Sequence, residues 1–423
     1  MNRTVFFICM LALMAFNNNA FSQWEIIQNL PNDNVEIRDI FVADYNNIIL
    51  VGSKGTIFRT YNAGKSWQDQ SIHMNNTINS AWLIYQGTTK VYRGHAVGDN
   101  GLILSVNYGD SLWSIEAAPV RCHLRDIWFI NKDVGFIVGE NGTILKTPNR
   151  GRDWFLIQSG TTENLTSIFF VNGTIGYISG IGRNILKTTD SGESWNIINT
   201  HSNYGLTSVY FLNENVGYVS STSWDILKTI DGGNNWDIIH SEDHDDPRYL
   251  HSIFFVDKNI GFAVGDWGTF LKTTDGGKNW SYSQLPNADN IGLYSLYFFN
   301  RNLGYVLGGK VFKTMYGGST FIDNSKKNLP IKNFDLLQNY PNPFNPKTTI
   351  PYQIDESSTI KISIYSITGQ LVKELLNEYK QPGYYSIEWD GTDQNNTLVT
   401  SGIYLCKLSK NNSFKTRQIV LLK

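Results

Sequence analysis

The chain has 423 residues, more than one ordinary domain needs, and its formal net charge is −2. That balance excludes the broad basic footprint of a nucleic-acid-binding surface. Aromatic residues make up 13% of the chain and glycines number 37, a composition that favours strands and tight turns over helices.

The N-terminus reads MNRTVFFICMLALMAFNNNAFSQ. Arg3 precedes an apolar run at 5–16, and Ala20 and Ser22 are small residues placed for cleavage before Gln23. This is a secretory signal peptide over 1–22, since the run is too short to span a membrane. Phe-Phe-Ile before Cys9 argues against a lipoprotein signal. Cys122 and Cys406 then remain, in different predicted domains, so a disulfide framework is not expected. No later run is apolar for long enough to cross a membrane, so the mature chain is expected to have no transmembrane segment.

From residue 23 to 323 the sequence repeats. Trp67, Trp113, Trp154, Trp195, Trp236, Trp280 and then Phe321 recur at intervals of 46, 41, 41, 41, 44 and 41 residues. Each unit opens with an alternating run such as LTSIFFV (165–171) and continues through GYISG (176–180) and a Gly-rich turn. A run like ILKT then leads into a turn such as KTTDGGKNW (272–280), and a last strand starts at the tryptophan. Four short antiparallel strands repeated seven times describe a seven-bladed β-propeller, all-β. QWEII (23–27) matches the last strand of a unit, and FIDN (321–324) matches it weakly. The N-terminal strand is therefore expected to complete blade seven and close the ring.

Within the repeated turn, an Asp accepts N–H groups of its own loop, a Gly takes positive φ and the Trp buries a ring. The residues are Asp190, Gly192 and Trp195, then Asp231, Gly233 and Trp236, then Asp275, Gly277 and Trp280. These turns resemble the Asp-box (BNR-like) consensus S/T-x-D-x-G-x-x-W at 188–195, 229–236 and 273–280. Asn62, Asn149 and Tyr316 stand where three blades lose the Asp, and blade two carries an extra residue before Trp113. The longer phrase, as in LTSIFFV…GYISG…ILKT, resembles the photosystem II stability and assembly factor family of propellers over residues 24–321. The resemblance implies the fold and, by analogy, an assembly or stability role in an envelope complex.

The period stops at a polar linker, NSKKNLPIKN (324–333). Residues 334–423 follow with QNYPNPFNP (338–346) and alternating runs TIKISIYSI, YYSIEWD and GIYLCKLS, which read as a small Ig-like β-sandwich. This module resembles the type A C-terminal sorting domain of the type IX secretion system, known from Bacteroidetes. The match lies in QNYPNPFNP, IYSITGQLV, WDGTD, SGIYLCKL and TRQIVLLK. It implies that Pro341, Asn342, Pro343, Phe344, Asn345, Pro346, Gly402, Tyr404 and Lys423 belong to a sorting signal read by that machinery. Secretion or attachment to the outer cell surface would follow.

Catalytic signatures are absent: there is no G-x-S-x-G, no H-E-x-x-H and no phosphate loop. The Asp-boxes also occur in sialidases, but that family's Phe-Arg-Ile-Pro motif is missing here, which ranks a sialidase-like glycoside hydrolase last. The loop HSEDHDD (240–246) and the turn DGTDQNN (390–396) carry carboxylates without the spacing of a metal site, so no metal and no cofactor is expected.

One blade face collects the second hairpin turns, the inter-blade connections and the start of each inner strand. The second residues of the inner strands are Arg38, Asn79, Arg125, Thr166, Thr207, His251 and Tyr294, which are expected to ring the channel mouth. Arg121, Arg183, Trp224 and Trp267 lie on connections and turns of the same face. Arg and Trp are favoured interface anchors. The expectation is a non-catalytic propeller that binds an unidentified protein or glycan with Arg38, Arg121, Arg125, Arg183, Trp224, His251, Trp267 and Tyr294.

Overall fold

The fold was obtained as a computed structural model, which describes residues 24–43, 46–86, 90–107, 112–241, 248–314, 334–336, 339, 347–411 and 413–421. The signal peptide, the 324–333 linker, Tyr316 and Phe321 lie outside the described residues. So do most of HSEDHDD, the extra residue of blade two, Pro341 to Pro346, and Lys423.

Seven four-stranded antiparallel sheets follow one another. Their inner strands are Ile37–Val42, Ile78–Gln86, Leu124–Phe129, Leu165–Phe170, Leu206–Phe211, Leu250–Phe255 and Leu293–Phe298. Each inner strand contacts the next, and the seventh contacts the first. This is a closed seven-bladed propeller. Among the described residues blade seven has three strands of its own, and Trp24–Ile26 adds the fourth by pairing with Val311–Thr314, in the register Trp24↔Thr314 and Ile26↔Phe312. The strand expected from QWEII to close the ring is therefore in place, and the edge of Val311–Thr314 is covered.

The core lies between blades. The first, fourth and sixth residues of the inner strands are buried in every blade but one, where Val42 is half-buried; Leu165, Ile168 and Phe170 pack against Phe136, Val138 and Ile144 of the preceding blade. The motif tryptophan then meets the sixth-position Phe edge-on. Trp195–Phe170, Trp236–Phe211 and Trp280–Phe255 all have centroids 5.9 Å apart and interplanar angles of 79°, 89° and 87°. Each large side chain so buried contributes about 1.5–3 kcal/mol.

The Asp-box turn also holds blades to each other. In blade six Asp275 Oδ1 accepts the Asn279 N–H at 2.9 Å and the Thr273 hydroxyl at 2.9 Å, while Asn279 Nδ2 donates to Oδ2 at 2.7 Å. The Asn279 side chain and backbone, with Thr273, hold this carboxyl down at about 2. Gly277 has φ +86° and gives its N–H to Thr273 Oγ1 at 2.9 Å. The turn carbonyl that remains, Gly276 O, receives Tyr218 Oη at 3.1 Å and Lys228 Nζ at 2.9 Å from blade five. Tyr177 and Lys187 of blade four grip Gly232 O of the next turn at 2.8 and 2.7 Å. Tyr305 of blade seven reaches Ala63 O of blade one at 3.3 Å, across the closure. Among the described residues such a turn both closes itself and offers one carbonyl to its neighbour, which is what the motif supplies.

Blade two uses a histidine for the same grip. His95 is fully buried, and its Nε2 lies 2.9 Å from Arg150 O, so the neutral Nε2–H tautomer donates. Burial, and then the nearby Arg93 charge, push its pKa down to about 3. The unfolded chain has an ordinary histidine near 6.5. The stability carried by neutral His95 is therefore complete above about pH 6.5 and is lost as pH falls from there toward 3. His95→Tyr restores the residue that blades four, five and seven use and is expected to flatten this acid loss. Melting curves of both proteins between pH 4 and 7 test it, and parallel curves would rule it out.

The C-terminal unit is an Ig-like sandwich of two sheets, one ordered Asp335–Leu336, Thr348–Ile354, Gly383–Trp389. The other runs Leu371–Lys380, Ser358–Ser366, Gly402–Lys410, Ser413–Leu421. Trp389, Ile362, Ile364, Cys406 and Leu408 are fully buried in its core. Trp389 Nε1 donates to Thr392 O at 2.9 Å, and Tyr404 Oη donates to Thr400 O at 2.7 Å, which ties the WDGTD turn and the SGIY strand to the core. Asp393 Oδ1 accepts the N–H groups of Asn395 and Thr397, each at 2.9 Å, and Lys373 Nζ from the neighbouring strand donates to Asn396 Oδ1 at 3.3 Å, so DGTDQNN is a structural turn. Cys406 is a buried free thiol raised to about 12 by that burial, and Cys122 is half-buried and also free.

Candidate functional site

All seven inner strands shift register between their first and third residues. The second residue is the extra one of a β-bulge, freed from the ladder and turned toward the mouth. These are the ring residues read from the sequence. The bulge needs room on the neighbouring strand, and a glycine supplies it in most blades: a Cβ on Gly265 would lie 2.1 Å from Tyr249 O, and one on Gly308 1.9 Å from Gly292 O.

The ring divides into two kinds of residue. Asn79, Thr166 and Thr207 point sideways and donate to the first carbonyl of the next inner strand: Leu124 O at 2.8 Å, Leu206 O at 3.0 Å and Leu250 O at 2.5 Å. They stitch blades together. Arg38, Tyr294 and His251 form a contiguous group on blades one, seven and six. The Arg38 guanidinium lies 3.8 Å over the Tyr294 ring, and the Tyr294 and His251 rings are 5.2 Å apart. His251 Nε2 is 2.7 Å from Asp266 Oδ1. Partial burial raises the Asp266 carboxyl, but the hydrogen bond and charge of His251 and the Tyr249 N–H outweigh it and leave it below the usual range. Next to this group Tyr249 and Trp267 are each 45% exposed, and Trp267 is presented by a turn in which its φ is +57°.

The remaining residues separate. Arg121, Arg125 and Arg183 are exposed, Arg183 on a turn with φ +69°. Trp224 departs from the expected exposure. It is 3% exposed, packed with Tyr218 and Ile226, with the Tyr282 ring of the next blade 5.7 Å away and Arg248 5.8 Å over its face. Its turn folds the indole into the seam between blades five and six, so it belongs to the core rather than to the site. The basic groups of the ring are also neutralised locally: Arg38 by Glu36 at 2.8 Å and Arg125 by Glu140. His123 lies 2.9 Å from Asp99 on the same face. The mouth is a mosaic of charge pairs and aromatic rings, not a positive patch.

Below the mouth lies a channel wall that the sequence reading did not separate out. Beyond the bulge the third and fifth residues share one face. The third are Asp39, Ser80, Asp126, Ser167, Ser208, Ser252 and Ser295, and three of them accept N–H groups left over between blades: Asp126 Oδ2 takes Ile168 N at 2.9 Å, Asp39 Oδ2 takes Ala81 N at 3.3 Å and Ser208 Oγ takes Ile253 N at 3.4 Å. The fifth form an aromatic girdle. Phe41, Trp82, Trp128, Phe169, Tyr210, Phe254 and Tyr297 follow one another with centroids 4.8–5.4 Å apart, tilted by 48–55°. The signal was present as Asp or Ser followed two residues later by an aromatic residue in every inner strand. Among the described residues no group of three or more His, Cys, Asp and Glu side chains is arranged to hold a metal ion.

Residues 105–289 are matched, in three overlapping stretches (105–205, 150–247 and 198–289), by the family profile "Photosynthesis system II assembly factor YCF48". Residues 346–413 are matched by "FlgD Ig-like domain". No curated protein matches the chain. Among solved structures, YCF48 bound to a D1 peptide is similar with a TM-score of 0.57 at 20% identity, over 70% of this chain and 96% of that one. YCF48 from Cyanidioschyzon merolae gives 0.57 at 18% identity, over 69% and 98%. The RRP9 WD40 repeats also give 0.57, at 8% identity over 69% and 97%. These likenesses support the propeller and its resemblance to the assembly factors.

Proposed function

We propose that this chain is a non-catalytic binding propeller that holds a protein partner against the mouth formed by blades six, seven and one. The observation that carries the reading is the linked group Arg38, Tyr294 and His251, set on a backbone bulge that repeats in every blade while its side chains vary, with Asp266 and exposed Trp267 and Tyr249 beside it. Paired charges and open aromatic faces suit a partner recognised by shape and stacking more than by bulk charge. The structurally similar YCF48 is a propeller with a bound peptide, which supports a protein partner. An assembly or stability role is the form of this reading that the match over 105–289 favours, and by analogy its client is an envelope complex. A glycan is the second reading, because Trp267 and Tyr249 offer ring faces to a sugar.

The tail leads us to propose export as well: a signal peptide at 1–22 and a sorting module at 334–423 fit passage through the type IX secretion machinery to the outside of the cell. One experiment addresses both. The full chain, affinity-tagged in its own cells, is expected in the surface or medium fraction and to bring a partner with it. A variant carrying Arg38→Ala, His251→Ala and Trp267→Ala is expected in the same fraction without that partner. A partner retained by the variant sinks the mouth as the site. A chain recovered only inside the cell sinks the export route.

A further inference from the structure

Where blades one, two and three meet at the channel wall, one hydroxyl stands between two carboxylates. Ser80 Oγ is 2.9 Å from Asp39 Oδ2 and 3.0 Å from Asp126 Oδ1. A serine hydroxyl has a single proton to give. If both carboxylates were ionised, one of these two contacts would place a lone pair against a negative oxygen. The geometry therefore requires a second proton in the unit.

The donors around each carboxylate say where it sits. Asp39 is met by the hydroxyls of Ser80 and Ser295, the latter at 3.1 Å, and by the N–H groups of Ala81 at 3.3 Å and Ile40. Asp126 is met by the N–H groups of Ile127 at 2.8 Å and Ile168 at 2.9 Å. Setting aside Ser80, which faces both, Asp39 has three donors that stabilise a charge, Ser295, Ala81 and Ile40, and Asp126 has two, Ile127 and Ile168. We propose that blades one to three share a proton at the channel wall: Asp126 carries it as a carboxylic acid and donates to Ser80, whose hydroxyl donates to ionised Asp39.

The surroundings support this placement. Burial, and then the negative charge of Asp39, raise the Asp126 carboxyl to about 6, while burial raises Asp39 against the four donors it holds. From neighbouring elements the unit meets the Ser295 hydroxyl of blade seven, on Asp39 at 3.1 Å, and the Ile168 N–H of blade four, on Asp126 at 2.9 Å. One level up, at the mouth, stand Arg38 held by Glu36, Arg125 held by Glu140, and His123 with its Nδ1 2.9 Å from Asp99. The unit is thus a pH-sensitive clasp. While the proton is present, three inner strands are joined through Ser80. Once it leaves, two like charges flank one hydroxyl. The proton belongs to the pair, so its loss is a property of both carboxylates together.

The sign follows from the raised value. A carboxyl with a folded pKa above its unfolded value of about 3.9 contributes stability that is complete below about pH 4. That contribution is lost as pH rises through about 6. The acid loss carried by His95 has the opposite sign in an overlapping window, so the informative quantity is a difference between two proteins that both keep His95. The melting temperature of the wild-type full chain minus that of Asp126→Asn is expected to fall steadily between pH 4 and 7. In a second measurement, which needs no variant, the full chain labelled with 13C at the aspartate carboxyls is expected to show one resonance titrating near pH 6. No aspartate titrating between pH 5 and 7 overturns the proposal, and so does a temperature difference that stays constant over that range.

Discussion

Gly265→Ala is expected to destabilise the propeller by more than about 3 kcal/mol, although it adds only one methyl group. The backbone conformation is not the obstacle: Gly265 has φ −164°, an extended value open to any residue. The obstacle is space. A Cβ there would lie 2.1 Å from Tyr249 O and 3.1 Å from Leu250 Cα, and backbone atoms cannot rotate away as a flexible side chain can. The displaced carbonyl is the one that accepts Asp266 N–H at 3.0 Å. Moving it releases the turn bearing Asp266 and Trp267 and disturbs the 2.7 Å pairing of His251 with Asp266. The effect should thus appear twice, as a lower urea midpoint and as weakened partner capture. Gly180→Ala is the internal contrast, because its Cβ would stand 3.0 Å from Asn164 O. Blade five already places Ser221 at the equivalent position, opposite Leu206. Equal costs for the two substitutions would show that the bulge does not set the requirement for glycine.

That contrast marks how far the site was legible in the sequence. The tryptophan spacing gave the blades, and the orphan strand at 24–26 gave the closure, because both follow from local pattern and from the need to cover an edge. The second residue of each inner strand was legible as a mouth position from the order of turns alone. The bulge that puts it there was not, since a register shift depends on the partner strand. The shift hid the channel wall as well: in LRDIWF it is Asp126 and Trp128 that share the channel face, while Ile127 and Phe129 go between blades. Charge pairing was hidden for a related reason. Arg125 with Glu140 and His251 with Asp266 lie 15 residues apart in the chain and meet only through the hairpin register. Trp224 was misread because an indole in a turn reads as exposed until the neighbouring blade, with Tyr282 and Arg248, is set against it. The carbonyl grips of Tyr177, Tyr218 and Tyr305 likewise join residues more than fifty positions apart.

Trp24→Ala tests what holds the ring closed, with an expected loss of about 3–5 kcal/mol, the usual cost of emptying a buried Trp site. Trp24 is 3% exposed and packs edge-on to Phe270 at 5.2 Å and Phe298 at 6.3 Å, in one cluster with Phe262, Leu285 and Leu293. It anchors a strand of three residues that pairs with Val311–Thr314. Bringing the two ends of so long a chain segment together costs on the order of 5 kcal/mol in loop entropy, and much of what offsets it at this seam comes from that strand. Without Trp24 the edge of Val311–Thr314 is uncovered, and an uncovered strand pairs with other chains. The variant is therefore expected to lose stability and to gain concentration-dependent association, read by urea unfolding and by light scattering at two protein concentrations. Glu25→Ala, on the exposed side of the same strand, is expected to do neither. A Trp24→Ala protein that stays monomeric and within 1 kcal/mol of wild type would mean that the remaining contacts between blades seven and one, such as Tyr305 Oη to Ala63 O at 3.3 Å, are sufficient to close the ring.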